Sequence, residues 1–160
     1  LVHAAQVGDE QLLRNLLAFG VSPNTQYSDG DSILHLAANA GKQNTVRALL
    51  EHGANVHAEG RHGHTALHVA ANNDDPRTLA SLISEGAAVN FRSDEHDTSP
   101  LDVAAISGNI AAIEFLWLNG ADMNAANAHG YTALHVAAVC NQAGSIKELL
   151  RCGVEVNAQD

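Results

Sequence analysis

The sequence predicts an all-α solenoid of stacked helix–turn–helix units joined by β-hairpin-like loops. Two markers and their shared spacing carry that expectation. The run Thr65-Ala66-Leu67-His68-Val69-Ala70-Ala71 recurs as residues 32–38, 99–105 and 132–138, at steps of 33, 34 and 33 residues. A second marker is two apolar residues, two variable ones and a glycine. It keeps the same beat at Leu16-Leu17 with Gly20, Leu49-Leu50 with Gly53, Leu82-Ile83 with Gly86, Leu116-Trp117 with Gly120 and Leu149-Leu150 with Gly153. Two markers locked at one period mean one supersecondary unit repeated, each copy covering an apolar face that its neighbour cannot bury alone. Five units follow, about 1–26, 27–59, 60–93, 94–126 and 127–160, in one domain spanning 1–160.

Each element has a local cause. Residues 56–64 carry Gly60 and Gly63 and no helical period, so they read as a hairpin tip. Thr65 stands at a helix N-cap, where its hydroxyl can accept a backbone N–H. In the fourth copy Ser99 is the cap, and Pro100 takes the first helical position, where a missing N–H costs nothing. Leu67, Ala70 and Ala71 follow at helical spacing, and the alanines allow a neighbouring backbone to approach closely.

This first helix is expected to stop near residue 74. The equivalent sites Gly8, Gly41, Asp74, Gly108 and Asn141 can all take the left-handed conformation that ends a helix. A second helix, Asn44 to His52 in the second copy, puts Val46, Leu49 and Leu50 on one face. Extended segments are expected at 54–56, 88–90, 122–124 and 155–157. The 34-residue step places an extra residue within 92–98, at a hairpin tip, where insertions cost least. Trp117 takes the position of Leu50 and Ile83 and is expected in the core. Phe115 and Leu118 match Ala48 and Glu51 and are expected to form an outward apolar patch.

Composition bounds the function. The chain is 46% hydrophobic but 4% aromatic, which describes an aliphatic, alanine-rich core. A net charge of −10 argues against a nucleic-acid partner and against an anionic membrane surface, both of which need clustered Lys and Arg. No apolar run reaches the roughly 18 residues of a membrane span. The ten histidines imply that charge-driven contacts weaken below roughly pH 6. Cys140 and Cys152 fall about a helix length apart on antiparallel neighbours, too far for a disulfide. Free thiols suit an intracellular setting, cytoplasmic or nuclear.

These residues resemble the ankyrin repeat, with its period of 33, its Thr-Pro-Leu-His-x-Ala-like helix start and an exit such as Leu49-Leu50-Glu51-His52-Gly53-Ala54-Asn55-Val56. Departures are few. Proline is kept only at Pro100, Asp102 stands where His35, His68 and His135 stand, and Asp74 and Asn141 replace the glycine between helices. The resemblance implies that those three histidines hydrogen-bond the neighbouring hairpin. It also implies a non-catalytic scaffold that grips a protein partner with hairpin tips and the exposed ends of the first helices.

By position the tip residues are Asp29, Asp31, Arg61, His62, His64, Glu95, His96, Thr98, His129 and Tyr131. The helix-end residues are Asn39, Asn72, Asn73, Ile106, Ser107 and Val139. Possible asparagine hydroxylation maps to Asn24, Asn90, Asn124 and Asn157, with His57 at the equivalent site. No catalytic constellation, cofactor motif or metal set is expected. His62, His64 and His68 cluster, but His64 precedes the N-cap, so the pair four apart shares no regular helical face. The chain is expected to be an excerpt of a longer array. The alternative function is a targeting or regulatory module of a multidomain enzyme, channel or transcription regulator.

Overall fold

The computed structural model describes residues 1–27, 30–73, 75–93 and 96–154. The expectations placed on Asp29, Asp74, Glu95, Asn157 and the segment 155–157 lie outside these residues. Among the described residues the helices come in five pairs: α1 (Val2–Val7) with α2 (Glu10–Ala18), α3 (Ile33–Asn39) with α4 (Gln43–Glu51), α5 (Ala66–Ala71) with α6 (Pro76–Ser84), α7 (Pro100–Ser107) with α8 (Ile110–Leu118), and α9 (Ala133–Val139) with α10 (Ala143–Arg151).

The odd-numbered helices pack against one another in sequence and form an inner row. The even-numbered helices do the same in an outer row. Paired alanines make the inner row possible. Ala4, Ala5, Ala37, Ala38, Ala70, Ala71, Ala104 and Ala105 are fully buried, so backbones meet with only a methyl between them. The outer row closes on Leu13, Val46, Leu49, Leu79, Leu82, Ile113, Leu116 and Leu149, all buried. Each such aliphatic side chain contributes about 2 kcal/mol of burial.

Helix ends obey the local chemistry. Gly8, Gly41, Gly108 and Asn141 are all left-handed after the inner helices, with φ of 82°, 62°, 78° and 56°. Asparagine replaces glycine at the last because its short polar side chain tolerates that conformation. α5 ends at Ala71, before residue 74, with Asn72 as its C-cap. After the outer helices the chain is turned rather than extended: Ala58 N–H donates to Asn55 C=O (3.2 Å) across a turn at residues 56–57. The same backbone bond recurs from Phe91 N–H to the Ala88 C=O (3.1 Å), and strand pairing is confined to two single bridges among the described residues, Gln26 with Ser32 and Glu59 with Thr65.

Each hairpin is closed by one backbone bond: Tyr27 N–H to Asp31 C=O, Gly60 to His64, Ser93 to Thr98 and Asn127 to Tyr131. The third spans one residue more than the others, which locates the extra residue. Asp97 takes φ 48° at the place two residues before the N-cap that Gly30, Gly63 and Gly130 occupy. Gly60 is required for a different reason. A Cβ there would strike the Asp31 carboxylate and the His35 ring of the preceding unit, so its absence lets successive hairpins touch.

The strongest cross-repeat ties start at the N-caps. Ser32 N–H donates to His35 Nδ1 (3.1 Å), and His35 Nε2 donates to the His64 carbonyl (2.9 Å) of the next hairpin. Thr65 N–H donates to His68 Nδ1 (3.2 Å), and His68 Nε2 donates to the Thr98 carbonyl (2.9 Å). One nitrogen accepts and the other donates, which demands a neutral imidazole with its proton on Nε2. In the fourth unit the task is divided. The Asp102 carboxylate accepts from Ser99 N–H (2.9 Å) and Oγ–H (2.8 Å). Arg92 donates to Asp102 (3.2 Å), to the Asp97 carbonyl (2.7 Å) and onward to the Ala125 carbonyl (3.4 Å) of the following unit.

One core expectation needs correction. Leu116 is fully buried, but Trp117, one position on and about 100° around the helix, is 37% exposed. At the same repeat position Leu17 and Leu50 are buried, whereas Leu150 is 42% exposed like Trp117. Leu118 is 68% exposed, as expected, whereas Phe115 is half-buried and packs against the core.

Two outcomes follow. Burial depresses His68 from the ordinary 6.5 to about 4. Between those values the unfolded chain binds a proton that the folded chain rejects, so stability is full above about pH 6.5 and falls as pH drops toward 4. Urea midpoints across that range should show the slope, and His68→Ala should flatten it while removing about 2–3 kcal/mol, because Thr65 N–H and the Thr98 carbonyl lose their partner. Arg92→Met should cost about 3 kcal/mol in the same assay, since it leaves the buried Asp102 carboxylate without its cation.

Candidate functional site

Because the inner helices stack at one repeat per step, their C-terminal ends and the adjoining hairpin tips fall into register along one edge. Asn39 is the last residue of α3, Asn72 caps α5, Ser107 ends α7 and Val139 ends α9. The described tip residues Asp31, Arg61, His62, His64, His96, Thr98, His129 and Tyr131 border the same edge. Its two halves differ. Toward the C-terminal units it exposes Ile106 (40%), Tyr131 (44%) and Val139 (80%). Ile106 and Val139 hold the same position in adjacent units.

Toward the N-terminal units the edge exposes Val7 at the end of α1 (52%) but is otherwise mostly polar and lined with histidine. The His96 and His62 rings stack with centroids 5.6 Å apart, His62 meets His64 edge-on at 6.2 Å, and His64 lies face to face on His68 at 4.9 Å. Phe91 closes the column, edge-on to His68 at 6.0 Å. His62 reaches its place because the tip backbone turns left-handed there, with φ 60°. Parallel stacked rings present faces to each other, so the in-plane lone pairs of His64 and His68 do not converge on one point as a tetrahedral metal needs. His64 is pushed below the usual imidazole range, first by burial and then by repulsion from His62 and His96. Its Nε2 is buried and has no hydrogen-bond partner.

Beside this column lies a cleft of about 250 Å³ lined by Asp31, His35, Leu36, Asn39, Arg61, His62, His64 and Val69. Arg61 N–H is held by Asp31 Oδ1 (2.8 Å), which fixes one wall against the other.

Several residues expected to face a partner also hold the array together. Asn73 donates from its amide to the Ala38 (2.9 Å) and Asn39 (3.0 Å) carbonyls at the end of α3. Ser107 Oγ hydrogen-bonds Asn72 Oδ1, and the Thr98 carbonyl receives His68. Two residues that sequence reasoning passed over do the same work: Asn109 donates to the Ala71 carbonyl (3.0 Å) and Gln142 to the Ile106 carbonyl (2.8 Å). The available signal was an amide just after the residue that ends the inner helix, in two of the units.

The positions considered for hydroxylation are engaged too. Asn24 donates to the Gly53 carbonyl (3.0 Å) and accepts from Asn55 N–H (2.7 Å). Asn90 does likewise with the Gly120 carbonyl (3.0 Å) and Asp122 N–H (2.8 Å). At His57 the backbone N–H instead donates to Asn55 Oδ1 (3.0 Å), and Asn124 N–H donates to Asp122 Oδ1 (3.0 Å).

A family model described as ankyrin repeats (3 copies) matches residues 1–93 and again residues 67–160, so the two matches together span the chain. With the helix pairs, the capping histidines and the hairpin-bordered edge in the places that the repeat demands, the chain belongs to the ankyrin-repeat family.

Proposed function

We propose that the edge formed by hairpin tips and inner-helix ends binds a protein partner, and that the chain acts there as a non-catalytic scaffold. Ankyrin repeats are in general protein–protein interaction modules. Among the described residues no helix is long and apolar enough to cross a membrane. The observation that carries the reading is the exposed group Ile106, Tyr131 and Val139 gathered at the C-terminal half of the edge, whose other half exposes Val7 among polar residues. Aromatic and aliphatic anchors supply binding energy, while polar neighbours such as Asn39, Asn72, His62 and His129 supply register. The edge is stitched by Asn73, Asn109 and Gln142, so little ordering entropy is lost when a partner docks.

The same surface would serve a targeting module within a larger enzyme, channel or transcription regulator, because the gripping chemistry is the same in either setting. Hydroxylation at Asn24 or Asn90 would have to compete with two hydrogen bonds that each amide already makes across the repeat boundary. Modification at those sites therefore requires local opening, and it should be faster in a destabilised variant.

A photocrosslinking residue at Tyr131 should join a partner covalently in cells, whereas the same residue at Leu118 on the outer row should not. Tyr131→Ala and Ile106→Asp should each weaken the recovered complex about tenfold or more. Equal crosslinking from both faces, or unchanged affinity in both variants, would defeat the proposal.

A further inference from the structure

The charges on this edge are distributed unequally. The hairpin sequences 25–32, 58–65 and 91–99 hold Asp29, Asp31, Glu59, Asp94, Glu95 and Asp97 against only Arg61 and Arg92. Arg92 is committed to Asp97 and Asp102. Other cations of the chain sit on the outer helices: Arg14 with Glu10 and Glu51, Arg47 with Glu51, Arg77 with Asp75, and Arg151 with Glu114 and Glu148. By sequence these hairpin segments therefore carry six carboxylates against two guanidinium groups, on a chain whose net charge is −10.

The cleft beside the histidine column has the form of a side-chain receptor. Leu36 and Val69 give it an apolar wall, and Asp31 and Asn39 give it oxygens. His64 adds a buried Nε2 without a partner. A long side chain with an apolar stem and a cluster of N–H donors at its tip suits this lining: the stem lies on Leu36 and Val69, and the donors meet the oxygens of Asp31 and Asn39. A carboxylate would instead face Asp31 and the surrounding acidic tips.

We propose that this cleft receives an arginine side chain from a basic segment of the protein partner, and that the histidine column makes the capture proton-sensitive. This inference rests on the edge being the partner-binding surface. The groups that face His64 are Asp31, His35, Arg61 and His62, with His68 beneath it and His96 beyond His62. Of these only Asp31 carries negative charge. Positive charge within the column would stand beside the bound guanidinium and repel it, and burial with the neighbouring imidazoles already disfavours a charged His64. The released ligand and the protonated column are then linked states, and the affinity falls as pH falls.

The test uses the full chain and three peptides of equal length: alternating arginine–glycine, citrulline–glycine and glutamate–glycine. Titration calorimetry gives affinity, and backbone amide NMR gives location. At about pH 7.5 the arginine peptide should bind at least about tenfold more tightly than the citrulline peptide, and at about pH 5.5 it should weaken about tenfold. Shifts should centre on Leu36, Asn39, His64 and Val69. Asp31→Asn should weaken the arginine peptide about tenfold while keeping an oxygen for Arg61 N–H. The triple variant His62→Gln, His64→Gln, His96→Gln should bind at both pH values alike. If that variant fails to fold, the Asp31→Asn result and the wild-type pH series decide.

Preference for the glutamate peptide, or affinity that does not change with pH, overturns the inference. Shifts at Ile106, Tyr131 and Val139 with none in the cleft also overturn it but leave the partner-binding edge standing. Shifts confined to the outer row overturn both.

Discussion

A neutral imidazole that accepts from its own N-cap and donates to the next hairpin is the bond on which the array depends. Helices of six to nine residues are too short to persist alone. Stacking supplies their stability, and stacking is only as good as the register between units. His35 and His68 set that register by fixing the distance from one helix start to the following hairpin carbonyl. The paired alanines then bring the inner row together, and the aliphatic residues of the outer row close the core behind it.

The fourth unit shows that the geometry matters more than the residue. An aspartate can accept from the N-cap but cannot reach the next hairpin. Arg92 spans that gap, bonded to Asp102 at one end and to the Ala125 carbonyl at the other. Burial raises the Asp102 carboxyl above its usual range, while its bonds to Ser99 and the charge of Arg92 pull it back. The longer hairpin of this unit, with Asp97 left-handed in the glycine place, is what positions Arg92 Nη1 on the Asp97 carbonyl. Substitution, insertion and ion pair form one compensated change.

The same ties also shape the functional edge. Hairpins held against each other through Gly60 and His35 bring His62, His64, His68 and His96 into one column although they come from two tips and a helix. Rigidity and proton sensitivity therefore have a common source. The contacts that hold the hairpins together also bury His64 and His68, and that burial holds both imidazoles below their usual range.

The sequence by itself determined the repeat, its five copies, the capping residues, the left-handed stops and the place of the extra residue. Each of these is a short-range matter of steric preference or hydrogen-bond chemistry repeated at a fixed period, and repetition makes it legible. What the sequence could not decide is how residues some 30 positions apart use one another. Asn73 read as a partner-facing residue, and Asn109 and Gln142 drew no reading, until their amides are seen on carbonyls of the preceding unit. Trp117 read as core because its position is core for Leu50, but burial at that position varies from unit to unit with what packs against it. The histidine column and its cleft exist only once two hairpins are side by side, since ring stacking and shared burial are set by three-dimensional spacing, which no linear period encodes.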